Sequence, residues 1–162
     1  MTYVLGLDPG LATGMAVYDL ETCKVIRAIE APKGIKGFKQ PFLQLRYVPA
    51  WPDREVLVAC EGFTLRSSNK FTADLSGVKI IGWLEGEEEC ETFPEPVQHM
   101  TITRLRKNKD DYKKSVITKM MKDAKFPIGA GHNRMALSVA VWYAAMVLKH
   151  RPTLELLSGR DK

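Results

Sequence analysis

The chain has 162 residues, 45% of them hydrophobic, and a formal net charge of +5. This size and composition are typical of one globular domain with its own core. We find neither an apolar run of the ~18 residues that span a bilayer nor a basic, apolar leader, so we expect no membrane helix and no signal peptide. Cys23, Cys60 and Cys90 are far apart, which indicates a reducing compartment without a zinc site or disulfide framework.

The charges are unevenly distributed along the chain. The segment from Glu85 to Glu95 contains six glutamates and no Lys or Arg. The segment from Thr103 to Lys122 contains eight basic residues and only two acidic ones. A solvated helix face can have this composition, but the density of the basic segment favours phosphate binding. The residues that we expect to contact nucleic-acid phosphates are Arg104, Arg106, Lys107, Lys109, Lys113 and Lys114.

The first stretch of the chain predicts a β-hairpin with a carboxylate where the first strand meets the turn. An apolar run from Tyr3 to Leu7 is followed by Asp8 and then by a Pro-Gly turn, and Met15 to Tyr18 reads as the returning strand. Asp-Pro-Gly is also a common turn for purely local reasons. An aspartate at the end of a buried strand is costly unless something positive lies on it, so a functional interpretation stays open.

A second strand strengthens the functional interpretation. The apolar run from Glu55 onward ends on Glu61, which is followed by a glycine. Open sheets build divalent-metal sites from carboxylates at the carboxyl ends of buried strands. We therefore predict that Asp8 and Glu61 form a metal-binding pair.

The remaining pattern predicts an α/β layer fold, a mixed sheet flanked by helices. We assign residues 1–152 to this domain and residues 153–162 to a flexible tail. Beyond the strands above, the predicted elements are a strand Lys24 to Glu30, a helix Phe38 to Val48, a helix Phe71 to Leu84, a strand Cys90–Phe93, a helix from Asp110 to Ala124 and a helix from Asn133 to His150.

Several motifs together resemble those of RuvC-type Holliday junction resolvases. Gly6-Leu-Asp8-Pro-Gly10-Leu-Ala-Thr-Gly14 resembles the first motif of this family, and Ala59-Cys-Glu61-Gly-Phe63 resembles the second. His132-Asn-Arg-Met135-Ala136 stands where the family has a terminal His-x-x-Asp-Ala. Two longer stretches also resemble the family, namely the glycine-bearing helix of Leu75 to Gly82 and the basic segment from Lys107 to Met120. The small single-domain form resembles the phage-borne branch.

The resemblance implies a ribonuclease H-like fold with a mixed five-stranded sheet. It implies a cytoplasmic homodimer that binds four-way DNA junctions and cleaves them with Mg²⁺ or Mn²⁺ in a two-metal site. Asp8 would bridge the metals, Glu61 would bind one of them, and His132 would orient the water or complete a metal shell. Phe63 would stack on an unpaired base, although a packing role is equally common for such a residue.

Met135 departs from the family pattern, because it occupies the position of the last aspartate. No acid lies between Asp123 and Glu155, and a thioether is a poor ligand for Mg²⁺. We therefore expect impaired or lost cleavage. Two alternatives stay open: a non-catalytic descendant that binds DNA or a host protein, and an ATPase of the actin and sugar-kinase type, which would need two such domains.

Overall fold

Three apolar runs at the start of the chain form an antiparallel meander. The computed structural model describes residues 1–47, 55–62, 75–87, 91–93, 116–127 and 131–158. Within it, β1 (Thr2–Asp8), β2 (Thr13–Asp19) and β3 (Lys24–Ala31) pair in sequence order, with a register shift in β2 between Val17 and Tyr18. The meander places Asp8 at the same end of the sheet as the start of β2 and the end of β3.

Two further strands extend the sheet on the other side of β1. Strand β4 (Glu55–Glu61) runs parallel to β1, and the three-residue β5 (Glu91–Phe93) runs parallel to β4, so the sheet order is β3-β2-β1-β4-β5. In the β1–β4 register Leu7 pairs with Cys60. The next residues are Asp8 and Glu61, so the two acids leave the sheet at one edge.

Helices cover both faces of the sheet, which confirms the predicted mixed α/β layers. Helices α1 (Gly34–Arg46) and α2 (Ser76–Glu87) contribute to one buried cluster with the sheet. On the other face, α3 (Val116–Asp123) and α4 (His132–Trp142) enclose a second cluster, against which the last helix α5 (Arg151–Leu157) also packs. Among the described residues, no helix has the length and apolarity that crossing a bilayer requires.

Helix α4 lies directly on a row of small residues in the sheet. Gly6 pairs with Ala16 on one side and with Ala59 on the other. A β-carbon on Gly6 would overlap the Ala136 carbonyl oxygen and would approach the Ala140 nitrogen to 2.7 Å. This close contact fixes the height of α4 above the sheet and thereby the position of its first residue.

The C-terminal region differs from its prediction. The last long helix ends slightly before its predicted end: α4 continues into a π-helical turn (Tyr143–Val147), and Lys149 beyond this turn has a left-handed backbone conformation with a φ of 53°. Residues assigned to a flexible tail instead form most of α5, where Thr153 is fully buried and its hydroxyl lies 3.0 Å from that of Tyr18. Burial of Thr153 and its hydrogen bond with Tyr18, which is far away in the sequence, attach this helix to the sheet.

Trp83 of α2 packs inside the domain. Its ring makes edge-on contacts with Phe38 and Phe42 of α1, at centroid distances of 5.8 and 5.6 Å, and the Lys39 ammonium lies 4.8 Å from its centroid. The indole therefore joins α1 to α2. The first residues of the two helices predicted from Phe71 and from Asp110 lie outside the described residues.

Candidate active site at the carboxyl ends of β1 and β4

The Asp8 carboxylate and the His132 imidazole form a hydrogen-bonded pair. The Nδ1 atom of His132 lies 2.7 Å from Oδ2 of Asp8, although the residues are 124 positions apart. The aspartate side chain is 13% exposed and the histidine 47% exposed. When Asp8 is ionised, Nδ1 carries the proton, and Nε2 is then the hydrogen-bond acceptor of the ring.

Glu61 brings a second carboxyl group against Asp8. It is only 4% exposed. Burial raises the pKa of Asp8, while hydrogen bonds with Glu61 and His132 act in the opposite direction and the nearby charge of Glu30 adds to the rise. Two neighbouring carboxyls in a poorly hydrated place disfavour double ionisation, so this edge of the sheet holds a proton more tightly than an exposed acid does.

Glu30 is a member of this group that the sequence interpretation missed. Its Oε2 atom accepts a hydrogen bond of 3.1 Å from the backbone N–H of His132. Glu30 pairs with Gly14 across β3 and β2, and Gly14 pairs with Asp8 across β2 and β1. This shared row is the signal that identifies Glu30, and it becomes visible only once the strand register is known.

Gly14 leaves the space above the row to helix α4. A β-carbon at Gly14 would overlap the carbonyl group of His132 and would come within 2.6 Å of the Asn133 nitrogen. The first residue of α4 therefore lies over Gly14, between the acids of β1 and β3. A side chain at this position of β2 would displace His132 from Asp8.

Met135 follows His132 by three residues on α4 and is half-buried. It contributes no oxygen ligand where the family motif has one. Within the described ranges, no group of three or more His, Cys, Asp or Glu side chains is arranged to hold a metal ion. The two adjacent carboxyl groups of Asp8 and Glu61 still suit a single Mg²⁺, which commonly binds one or two carboxylates and completes its shell with water and substrate phosphate.

The predicted nucleic-acid contacts lie outside the described residues. These are Phe63 and the basic residues Arg104, Arg106, Lys107, Lys109, Lys113 and Lys114. Their role in binding therefore stays a prediction from the sequence.

Comparison with known proteins supports the fold. The chain is similar to RuvC of T. thermophilus, solved in complex with a Holliday junction substrate, with a TM-score of 0.51 and 16% sequence identity over 90% of this chain and 96% of that one. No family model and no curated protein matches the sequence. At this identity the similarity establishes a RuvC-like fold.

Proposed function

We propose that the protein binds branched DNA of the four-way junction type and is a weak Mg²⁺-dependent endonuclease of the RuvC kind, in a ribonuclease H-like fold of phage type. The observation that carries this proposal is the group formed by Asp8, Glu61 and His132 at one edge of the sheet. Its support is that residues from three separate sequence motifs meet at one end of the sheet, in a chain whose fold is similar to that of RuvC.

The residues of the site have different proposed roles. Asp8 and Glu61 would hold Mg²⁺ or Mn²⁺, which supplies charge neutralisation at a phosphate and lowers the pKa of a water. Asp8 also orients the imidazole of His132, because its ionised carboxylate accepts a hydrogen bond from the Nδ1–H group. The Nε2 atom can then take a proton from the water that attacks the phosphodiester.

Met135 is the physical reason for proposing weak rather than full activity. Two Mg²⁺ ions on a phosphate bring four positive charges, and Asp8 with Glu61 supply two negative ones. Loss of one pre-organised electrostatic element typically reduces turnover by about a hundredfold or more. We therefore expect slow cleavage and weak metal binding.

A homodimer is part of the proposal, because two-fold symmetry matches a junction with two strands to cut. We place the dimer interface on the glycine-bearing helix α2. Because the ring of Trp83 packs against α1, the interface would be formed by the exposed apolar residues of this region. Leu75, just before α2, and Val78 are 45% and 39% exposed. Sedimentation at micromolar concentration tests this: Val78→Glu should shift a dimer to monomer, and a monomeric wild type would refute the dimer.

The proposed activity is tested with a labelled four-way junction. The purified protein is incubated with the junction in Mg²⁺, in Mn²⁺ and in EDTA, and is then examined by mobility shift and on a denaturing gel. We expect binding in all three buffers and slow cleavage only with metal. Asp8→Asn should abolish cleavage while keeping binding. Cleavage that survives this substitution would refute the assigned site.

A non-catalytic binding protein is the second candidate, and Met135 is the observation that favours it. In that case the protein keeps the fold and the DNA-binding surface. It then retards a four-way junction in the mobility-shift assay but never cleaves it. A host protein is the alternative partner. Absence of both a shift and cleavage with junction DNA would favour this partner over nucleic acid.

A further inference from the structure

Helix α4 begins without a capping side chain of its own. The residue before it is Gly131, which has extended backbone angles (φ −69°, ψ 148°) and no side chain to offer. Helix N-termini leave their first N–H groups unsatisfied, and a carboxylate there is also favoured by the helix dipole. The first N–H of α4 is therefore free to donate to a partner from elsewhere in the fold as an alternative to water.

Strand β3 supplies that partner. The Glu30 carboxylate accepts the N–H of His132 at 3.1 Å, over a separation of 102 residues. Gly131 leaves room for this approach, because a β-carbon at residue 131 would lie 3.1 Å from Oε2 of Glu30 and 2.6 Å from Oδ1 of Asn133, and these side chains would have to shift. Glycine at this position keeps the path of the Glu30 side chain open.

His132 is consequently held from two sides. Its ring is bonded to Asp8 of β1 at 2.7 Å, and its main chain is bonded to Glu30 of β3. The two acids are separated by Gly14, a distance of two strands or ~10 Å between α-carbons. The backbone of His132 is therefore bonded to strand β3, and its side chain is bonded to strand β1.

We infer that Glu30 is a positioning residue of the candidate site: by holding the first residue of α4 from β3, it sets the His132 ring on Asp8. This inference rests on the proposed function for its catalytic consequence. The structural part concerns the free protein. Removal of the hydrogen-bond partners that orient the ligands of a metal site typically changes metal affinity or activity by about 10–100-fold.

The test uses nuclear magnetic resonance of the metal-free protein together with junction kinetics. In Glu30→Ala we expect amide exchange of His132 to become about tenfold faster, since its hydrogen bond is lost. We also expect the ring ¹⁵N signals to change from one tautomer with the proton on Nδ1 to a mixture. Glu30→Gln keeps an acceptor and should retain much of the amide protection. Glu21→Ala removes an equal charge at the opposite end of the meander and should change neither signal.

The kinetic part separates this inference from the proposed activity. If the wild type cuts junctions, Glu30→Ala should lower kcat by about tenfold while leaving junction affinity unchanged. If the wild type cuts nothing, the proposed function fails and the resonance measurements still decide the role of Glu30. Wild-type amide protection and wild-type ring signals in Glu30→Ala would overturn the inference.

Discussion

Gly6 and Ala136 are in such close contact that the backbone of helix α4 rests on strand β1. A β-carbon at residue 6 would overlap the Ala136 carbonyl oxygen. Because both partners are backbone atoms of packed elements, neither can move away cheaply. This contact and the one at Gly14 together set where α4 begins, and so where His132 meets Asp8.

Gly6→Ala should destabilise the protein by about 2 kcal/mol, because it overpacks the boundary between β1 and α4. Gly82→Ala is the matched control: within the part of the chain that the structure describes, no atom outside the helix's own backbone and the adjacent residues lies within 4 Å of the added β-carbon. Alanine is the better helix former, so this variant should gain about 0.5–1 kcal/mol. Urea unfolding of the three proteins measures both effects. Equal stability of the two variants would contradict the described packing of α4.

Asp8→Asn should stabilise the metal-free protein at neutral pH. The pKa of Asp8 is raised in the folded state, chiefly by burial, so the folded protein binds this proton more tightly than the unfolded chain does. Stability therefore falls as pH rises from the unfolded pKa through the folded one, and the penalty is complete above it. Asparagine removes the penalty, and we expect a rise in Tm of about 2–4 °C.

Thermal melts in EDTA between about pH 3.5 and 7 check this expectation. The difference between variant and wild type should grow with pH and then level off. A constant difference across the range would mean that the Asp8 carboxyl is not responsible.

Met135→Asp should restore a missing charge and increase Mg²⁺ affinity and junction cleavage by about tenfold or more. The added carboxylate lies one helical turn after His132, on the same side of α4. In EDTA the variant should be less stable than the wild type, because a further acid is added beside Asp8, Glu61 and Glu30. Calorimetric titration with Mg²⁺ and the junction assay measure the gain. Met135→Asn, which is nearly isosteric with the aspartate variant, is the neutral control, and an equal gain in both would refute the charge argument.

Neutralising Lys113 and Lys114 to glutamine should weaken junction binding and reduce the slope of log affinity against log salt concentration by about two. The prediction rests on the charge density between Arg104 and Lys122. A matched control is Lys24→Gln, an exposed lysine at the end of the meander opposite Asp8. Affinity titrations at several salt concentrations measure the slope. A slope that is unchanged in the double variant would locate the DNA surface elsewhere.

Tyr18→Phe should cost about 1 kcal/mol, because it breaks a buried hydrogen bond to Thr153. Thr153 also lies 2.8 Å from Nδ1 of His150, so the three residues connect α5 to β2. A double-mutant cycle of Tyr18→Phe with Thr153→Val should give a coupling energy of about 1 kcal/mol. Strictly additive losses would show that the tail is independent of the sheet.

The sequence by itself determined the paired acids at one edge of the sheet. Short apolar runs that end in an acid and a Pro or Gly turn are local signals, and they specify the strands that carry Asp8 and Glu61. The parallel pairing of those strands follows the general rules of α/β layers. The thioether of Met135 was also evident from the sequence, whereas the loss of a metal ligand at this position stays a prediction.

Only the tertiary structure decided the roles of Glu30, Trp83 and Thr153. Glu30 looks like any acid at a strand end until the register aligns it with Gly14 and Asp8. The spacing of Trp83 along its helix is the same whether the ring contacts a partner subunit or α1. Thr153 lies in the last helix, and its hydroxyl is hydrogen-bonded to Tyr18 of the sheet. Local propensity and periodicity describe neighbours along the chain, whereas these contacts depend on how distant elements pack, which one-dimensional patterns do not encode.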